Sequence, residues 1–195
     1  MRILHHAVLS PSSRKIRLQL AEKKLAFTLE LERPWEMRER FLELSPAGDV
    51  PVLRDEGGVT VNDHAAIAEY LEEVYPQTPL LPKAPAARAE ARRIAAWFDG
   101  KYDREAGSRL VQEKVFKRFG WLPGASAAPD MTAIRLAMDA MKLHLEYVGR
   151  LADRRGWLAG ELSIADMAAA GHLSCADYLG DVPWDDFPSA KEWYM

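Results

Sequence analysis

The sequence predicts two folded parts, an α/β domain over residues 1–78 and an all-α domain over residues 86–195. Three observations carry this. The first part alternates between short strand-like runs and a helical pattern, four prolines fall between positions 76 and 85, and the chain beyond them keeps apolar residues at helical spacing.

Taken in order, "RILHHAVL" is a short apolar run, "RKIRLQLAEKK" has apolar residues three and four apart, and "AFTLELE" alternates again, which makes a β-α-β opening. The irregular "RPWEMRERFLELSPAGD" leads into "VPVLRDE" and "GVTVND", two short strands around Gly57 and Gly58. The amphipathic "HAAIAEYLEEVY" closes the first part as a helix, and the order fits a small mixed sheet with helices. The proline run makes a stiff connection, since each ring fixes its own φ. Beyond it, "RAEARRIAAWFDGKYDREAGSRLVQEKVFKRFG", "MTAIRLAMDAMKLHLEYVGRLADRR" and "SIADMAAAGHLSCADYL" read as helices separated by Gly- and Pro-containing turns. The sequence shows no internal repeat.

The composition of the 195 residues, 48% hydrophobic and 28% charged, is that of a folded globular chain. A net charge of −3 gives no bulk reason to bind nucleic acid or an anionic membrane, and no apolar run suggests membrane insertion or a signal peptide. With Cys175 as the single cysteine, no intramolecular disulfide, thiolate zinc site or paired-cysteine redox centre can form, and a reducing cytoplasm is the expected setting. Cys175 itself, within "HLSCADYL", reads as a small buried hydrophobe. His5 and His6 are adjacent on one strand, so they point to opposite faces and cannot share a metal ion; no metal site is expected.

Ser163 followed by Asp166 in "LAGELSIADMAAAGHL" forms a capping-box pattern, in which hydroxyl and carboxylate each satisfy a free N–H at a helix start. Together with "SPSSRKIRLQLAEK", "AGDVPVL" and "NDHAAIAEYLEEVYP", in that order, it resembles the glutathione S-transferase superfamily across essentially the whole chain. The resemblance implies a thioredoxin-like first domain, an all-helical second domain, and a glutathione cleft on the first. On that reading Pro51 matches the family's cis-proline, and Val50 would pair its backbone with the peptide like an added strand. Ser10 matches the hydroxyl that stabilises the glutathione thiolate in serine-type members, aided by a helix N-terminus. The same "SP" is an ideal N-cap followed by proline at the first helical position, and both readings of Ser10 stand.

One motif departs from the family. Where members open the third helix with an acidic residue and a serine that grip the γ-glutamyl group, this chain has Asp63 and His64. The hydroxyl is lost and bulk is added, so glutathione is expected to bind weakly or not at all, and no resident cofactor is expected. Within the family, the serine-type opening, the altered pair and "EKVFKRFGW" resemble the members that partner the tubulin homologue FtsZ in bacterial division. That implies a non-catalytic cytoplasmic homodimer, recruited to the division site, that binds FtsZ filaments and regulates their curvature or bundling and constriction. The alternative is a serine-type transferase that conjugates glutathione to small electrophiles. Lys114, Lys117 and Arg118, interleaved with Phe116, Phe119 and Trp121, are candidates for a partner surface, as is Trp35 beside the cleft; a solvated face over core aromatics is the plainer reading. The chain stops after "DFPSAKEWYM", where family members continue as a helix, and truncation at this end is expected.

Overall fold

Strand β1 (Ile3–His6) lies inside a four-stranded sheet of order β2-β1-β3-β4. It pairs in parallel with β2 (Thr28–Leu31) and antiparallel with β3 (Val52–Arg54), which in turn pairs antiparallel with β4 (Thr60–Asn62). The computed structural model describes residues 1–122, 124 and 126–195, and these divide into two units, Met1–Leu81 and Pro82–Met195.

In the first unit, the two-residue period of β1 sends Leu4 onto one face of the sheet. There it packs with Ile16 and Leu20 of α1 (Pro11–Glu22), Leu53 of β3, and Ile67, Ala68 and Leu71 of α3 (His64–Val74). The four-residue spacing within each helix puts these side chains on one stripe. The short α2 (Glu39–Leu42) supplies Phe41, whose ring centroid lies 6.1 Å from that of His5. The turn between β3 and β4 uses Gly57 and Gly58, both at positive φ, a region open to glycine because it lacks a Cβ.

Two buried ion pairs fasten this unit. Arg2 Nε donates to Asp55 Oδ1 at 2.7 Å, and its other nitrogens donate to the Ala26 carbonyl and the Tyr75 hydroxyl. Asp55 also accepts from the hydroxyls of Tyr70 and Tyr75 and from the Glu56 N–H. Burial opposes ionisation of Asp55, and the hydrogen bonds from Tyr75, Glu56 and Tyr70 with the Arg2 charge outweigh it, holding its pKa below the usual carboxylate value. The second pair, Lys23 and Glu72 at 2.8 Å, reaches the end of the unit: Lys23 Nζ donates to the Tyr75 and Thr78 carbonyls, and Glu72 accepts from the Leu80 and Leu81 N–H groups.

In the second unit, α4 (Pro85–Ala96) runs on through a wide-turned π-helical stretch (Trp97–Gly107), one turn of α5 (Ser108–Val111) and a second π-helical stretch (Gln112–Phe116). After it come α6 (Met131–Arg155), α7 (Ile164–Tyr178) and α8 (Pro188–Tyr194). Helix α7 is apolar nearly all round and correspondingly buried, with Cys175 fully enclosed. It opens with the complete capping box of Ser163 and Asp166. Tyr102 lies in the core between His144 of α6 and His172 of α7, with ring centroids 5.2 and 5.7 Å away. No described helix is long and apolar enough to cross a membrane.

Candidate functional site

Sheet register gathers five of the cleft residues named from sequence at one end of the first unit. Since β1 and β2 are parallel and His6 pairs with Leu31, both strands finish at the same end; antiparallel β3 begins there, and β4 finishes there beside it. Ser10 therefore follows β1, Val50 and Pro51 immediately precede β3, and Asp63 and His64 follow β4 at this end. Trp35, in a single 3-10 turn (Pro34–Glu36), lies on the segment that leaves β2 at the same end. The N-termini of α1 and α3 open here as well, so two positive dipole ends lie at this end of the sheet.

Each position has a local reason. Ser10 is the N-cap of α1: its Oγ accepts from the Ser13 N–H at 3.1 Å, with Pro11 at the first helical position. The oxygen is used as an acceptor and the hydroxyl proton stays available to donate, so capping and thiolate stabilisation are compatible in one group. The Val50–Pro51 peptide is cis. Among the described residues, neither the Val50 N–H nor its C=O makes a hydrogen bond, which leaves a backbone edge that an extended peptide can pair with. Asp63 caps α3 through Oδ1, which accepts from the Ala65 and Ala66 N–H groups at 2.8 and 2.9 Å. Its φ of +72 is unusual for a residue with a Cβ.

His64 meets a residue that the sequence reading missed. Lys15, almost fully buried, places Nζ 3.4 Å from His64 Nδ1. An ammonium has donors only, so the contact requires Nδ1 to accept and leaves the ring proton on Nε2. The signal was present in the helical pattern, where Lys15 falls beside Ile16 on the face that turns inward, but its target lies 49 residues away.

The two adjacent histidines diverge. His5 packs against Phe41 and places Nδ1 3.4 Å from Glu30, while burial and the nearby Arg17 charge of α1 lower the pKa of His6. Burial also lowers that of His5. Among the described residues no three His, Cys, Asp or Glu side chains gather as a metal ion would need.

The basic and aromatic segment belongs to the second unit. Lys114 forms an ion pair with Asp181, and Lys117 one with Glu113 at 2.6 Å. Glu113 also accepts from the Asp130 N–H, and Lys117 and that N–H together hold its pKa below the usual value. Arg118 is exposed and has no ion pair among the described residues. The rings of Phe116 and Phe119 lie 5.7 and 5.3 Å from Trp121, with Phe119 61% exposed. The surface therefore presents one uncompensated cation beside an aromatic stack; two of the three basic residues are neutralised within the fold.

Residues 9–74 match the family described as glutathione S-transferase, N-terminal domain. The whole chain aligns at 46% identity with FtsZ-localized protein A of Caulobacter vibrioides, covering 85% of that protein. Among solved structures, a glutathione S-transferase from Rhodospirillum rubrum F11 is 51% identical, with a TM-score of 0.94, and FzlA from C. crescentus is 46% identical, with a TM-score of 0.93. Each covers all of this chain, which spans 86% of either structure.

Proposed function

The chain belongs to the glutathione S-transferase family, and from that premise we propose that it is a non-catalytic division protein that binds FtsZ filaments and regulates their curvature or bundling during constriction. The observation that carries the reading is the 46% identity, over the entire chain, to a protein named for its localisation with FtsZ. The altered cleft supports it: His64 replaces a small hydroxyl with an imidazole engaged by Lys15. A hydrogen bond lost to a charged ligand group costs about 1.5–3 kcal/mol, roughly tenfold to more than a hundredfold in affinity.

The exposed Arg118 and Phe119, beside Trp121, are the partner surface in this proposal, with the cation steering approach and the aromatics supplying burial. Homodimerisation gives each particle two such surfaces, and two sites on one body cross-link neighbouring filaments through effective concentration. Co-sedimentation with FtsZ filaments tests the assignment. Arg118→Glu should remain in the supernatant, while Ser10→Ala, which loses only a helix cap, should pellet like the parent. The surface is wrong if the first still pellets, or if the second stays soluble while folded. Light scattering showing a monomer at micromolar concentration would remove the bivalent explanation of bundling.

A second reading, a serine-type glutathione transferase, is favoured by one observation: Ser10 and the open Val50 backbone edge occur at the end of the sheet where two helix N-termini lie. Calorimetric titration with glutathione separates the two. A micromolar dissociation constant, together with turnover of a small electrophile abolished by Ser10→Ala, establishes the transferase; millimolar or absent binding leaves the cleft non-catalytic.

A further inference from the structure

The second unit contains a cavity of about 360 Å³ between the end of α6 and the last helix, α8. Asp153, Gly156 and Trp157 line it from one side and Ser189, Glu192 and Trp193 from the other. We propose that this cavity is a receptor for an arginine side chain presented by a basic peptide segment of a protein partner.

The lining favours a cation in three independent ways. Two carboxylates, Asp153 and Glu192, border it, and no basic side chain among the described residues does. Two indoles, Trp157 and Trp193, are among the lining residues, and a guanidinium is a favoured partner of an indole. The 25-residue helix α6 also ends at this wall, with Gly156 as its C-cap, so the negative end of the helix dipole faces the space. Neighbouring cations are committed elsewhere: Arg155 donates to Glu90 and the Leu158 carbonyl, and Lys191 to Asp185. Arg154 stands in the same turn as Asp153 but does not line the cavity.

The walls are also held in place. A single buried oxygen, Asp166 Oδ1, accepts from the Trp193 indole N–H and from the Leu158 N–H, both at 3.0 Å, which ties α8 and the residue after Trp157 to one point. The other oxygen of Asp166 serves the capping box of α7. With the Trp193 indole and the backbone beside Trp157 held on one carboxylate, the α8 wall is preorganised, so ordering it costs a ligand little. Its volume is at the low end for small-molecule sites and suits a single side chain. Asp153, Trp157 and Glu192 are exposed at the rim, so a side chain can enter while its backbone stays outside. Arginine is preferred over lysine because its planar fork can bond a carboxylate in bidentate fashion while stacking on an indole.

The probe is the capped peptide acetyl-Gly-Gly-Arg-Gly-Gly-amide, with the indole N–H resonances of Trp157 and Trp193 followed by two-dimensional NMR. Saturable shifts of both resonances in the millimolar range are expected, weakened by added salt. They should weaken by about tenfold or more in the double variant Asp153→Asn/Glu192→Gln, because charge-assisted hydrogen bonds are lost. Both carboxylates are exposed and carry no ion pair among the described residues, so the variant should fold like the parent. The proposal is overturned if the peptide leaves both resonances unmoved, if the double variant binds equally well, or if tetramethylammonium saturates the site while the arginine peptide does not.

Discussion

The two units satisfy their most buried carboxylates in different ways. In the first, Arg2 and Asp55 are buried together and Lys23 is paired with Glu72 inside the fold, with tyrosine hydroxyls and backbone groups completing the bonds. In the second, the ion network of Glu90, Arg93 and Arg155 lies at the surface, the buried Asp166 is held by neutral N–H and hydroxyl donors, and the other deep polar groups include aromatic and imidazole atoms. Two of these, the Tyr102 hydroxyl and His172 Nδ1, make no hydrogen bond among the described residues. A buried ion pair is costly to half-remove and a surface pair is not, so the first unit is intolerant of single changes at its buried pairs and the second is forgiving at its Glu90 network.

The largest effect should come from Asp55→Ala, which leaves the Arg2 guanidinium buried without its carboxylate and two tyrosine hydroxyls without their acceptor. A loss of about 3–5 kcal/mol is expected in urea unfolding. A loss below about 1 kcal/mol would place this pair with ordinary surface pairs and break the contrast.

Tyr102→Phe should act in the other direction. Removing a fully buried hydroxyl without a partner relieves a desolvation cost of about 1–3 kcal/mol, so the variant should be as stable as the parent or more so. A destabilised variant would mean that the hydroxyl is satisfied by a buried water.

Helix caps should behave alike in both units. Ser10→Ala on α1 and Asp130→Ala on α6 each remove acceptors for free N–H groups and should lower stability in thermal or urea unfolding, Ser10→Ala by about 1 kcal/mol. If Ser10→Ala costs nothing, the hydroxyl is not needed as a cap and its retention points to the cleft.

The smallest effect is expected from Glu90→Gln. Hydrogen bonds from Arg93 and Arg155 hold the Glu90 pKa down to about 2, against an ordinary value of 4.5. A carboxylate depressed in the folded state contributes stability that is fully present above pH 4.5 and disappears as pH falls through about 2. The parent and Glu90→Gln should therefore differ most near neutrality, by under about 1 kcal/mol for a partly exposed network, and converge as the pH approaches 2. A difference that grows on acidification would reverse the assignment.

Much of the fold was legible because it rests on local chemistry. The "SP" opening of α1, the Ser163 and Asp166 box, the glycines of the β3–β4 turn and the proline run each act within a few residues, and pattern reading finds them. The candidate cleft was legible through Ser10, Val50, Pro51, Asp63 and His64, since motif order marks them. What pattern reading missed is long-range. The contact of Lys15 with His64 spans 49 residues, and that of Lys114 with Asp181 spans 67. A run such as "EKVFKRF" looks basic in sequence, because the acid that neutralises Lys114 is supplied from far along the chain.

By itself, then, the sequence determined the elements, their order and the helix caps, because dihedral preferences and hydrophobic period act over a few residues. Only the tertiary structure decided which charges stay available. It neutralised Lys114 and Lys117 and left Arg118 exposed, turned Lys15 onto His64, and set the Leu158 N–H and the Trp193 indole on one buried oxygen of Asp166. The physical reason is that a charge or an indole acquires its chemistry from whatever lies within a few ångströms, and those neighbours are brought together by packing rather than by spacing along the chain.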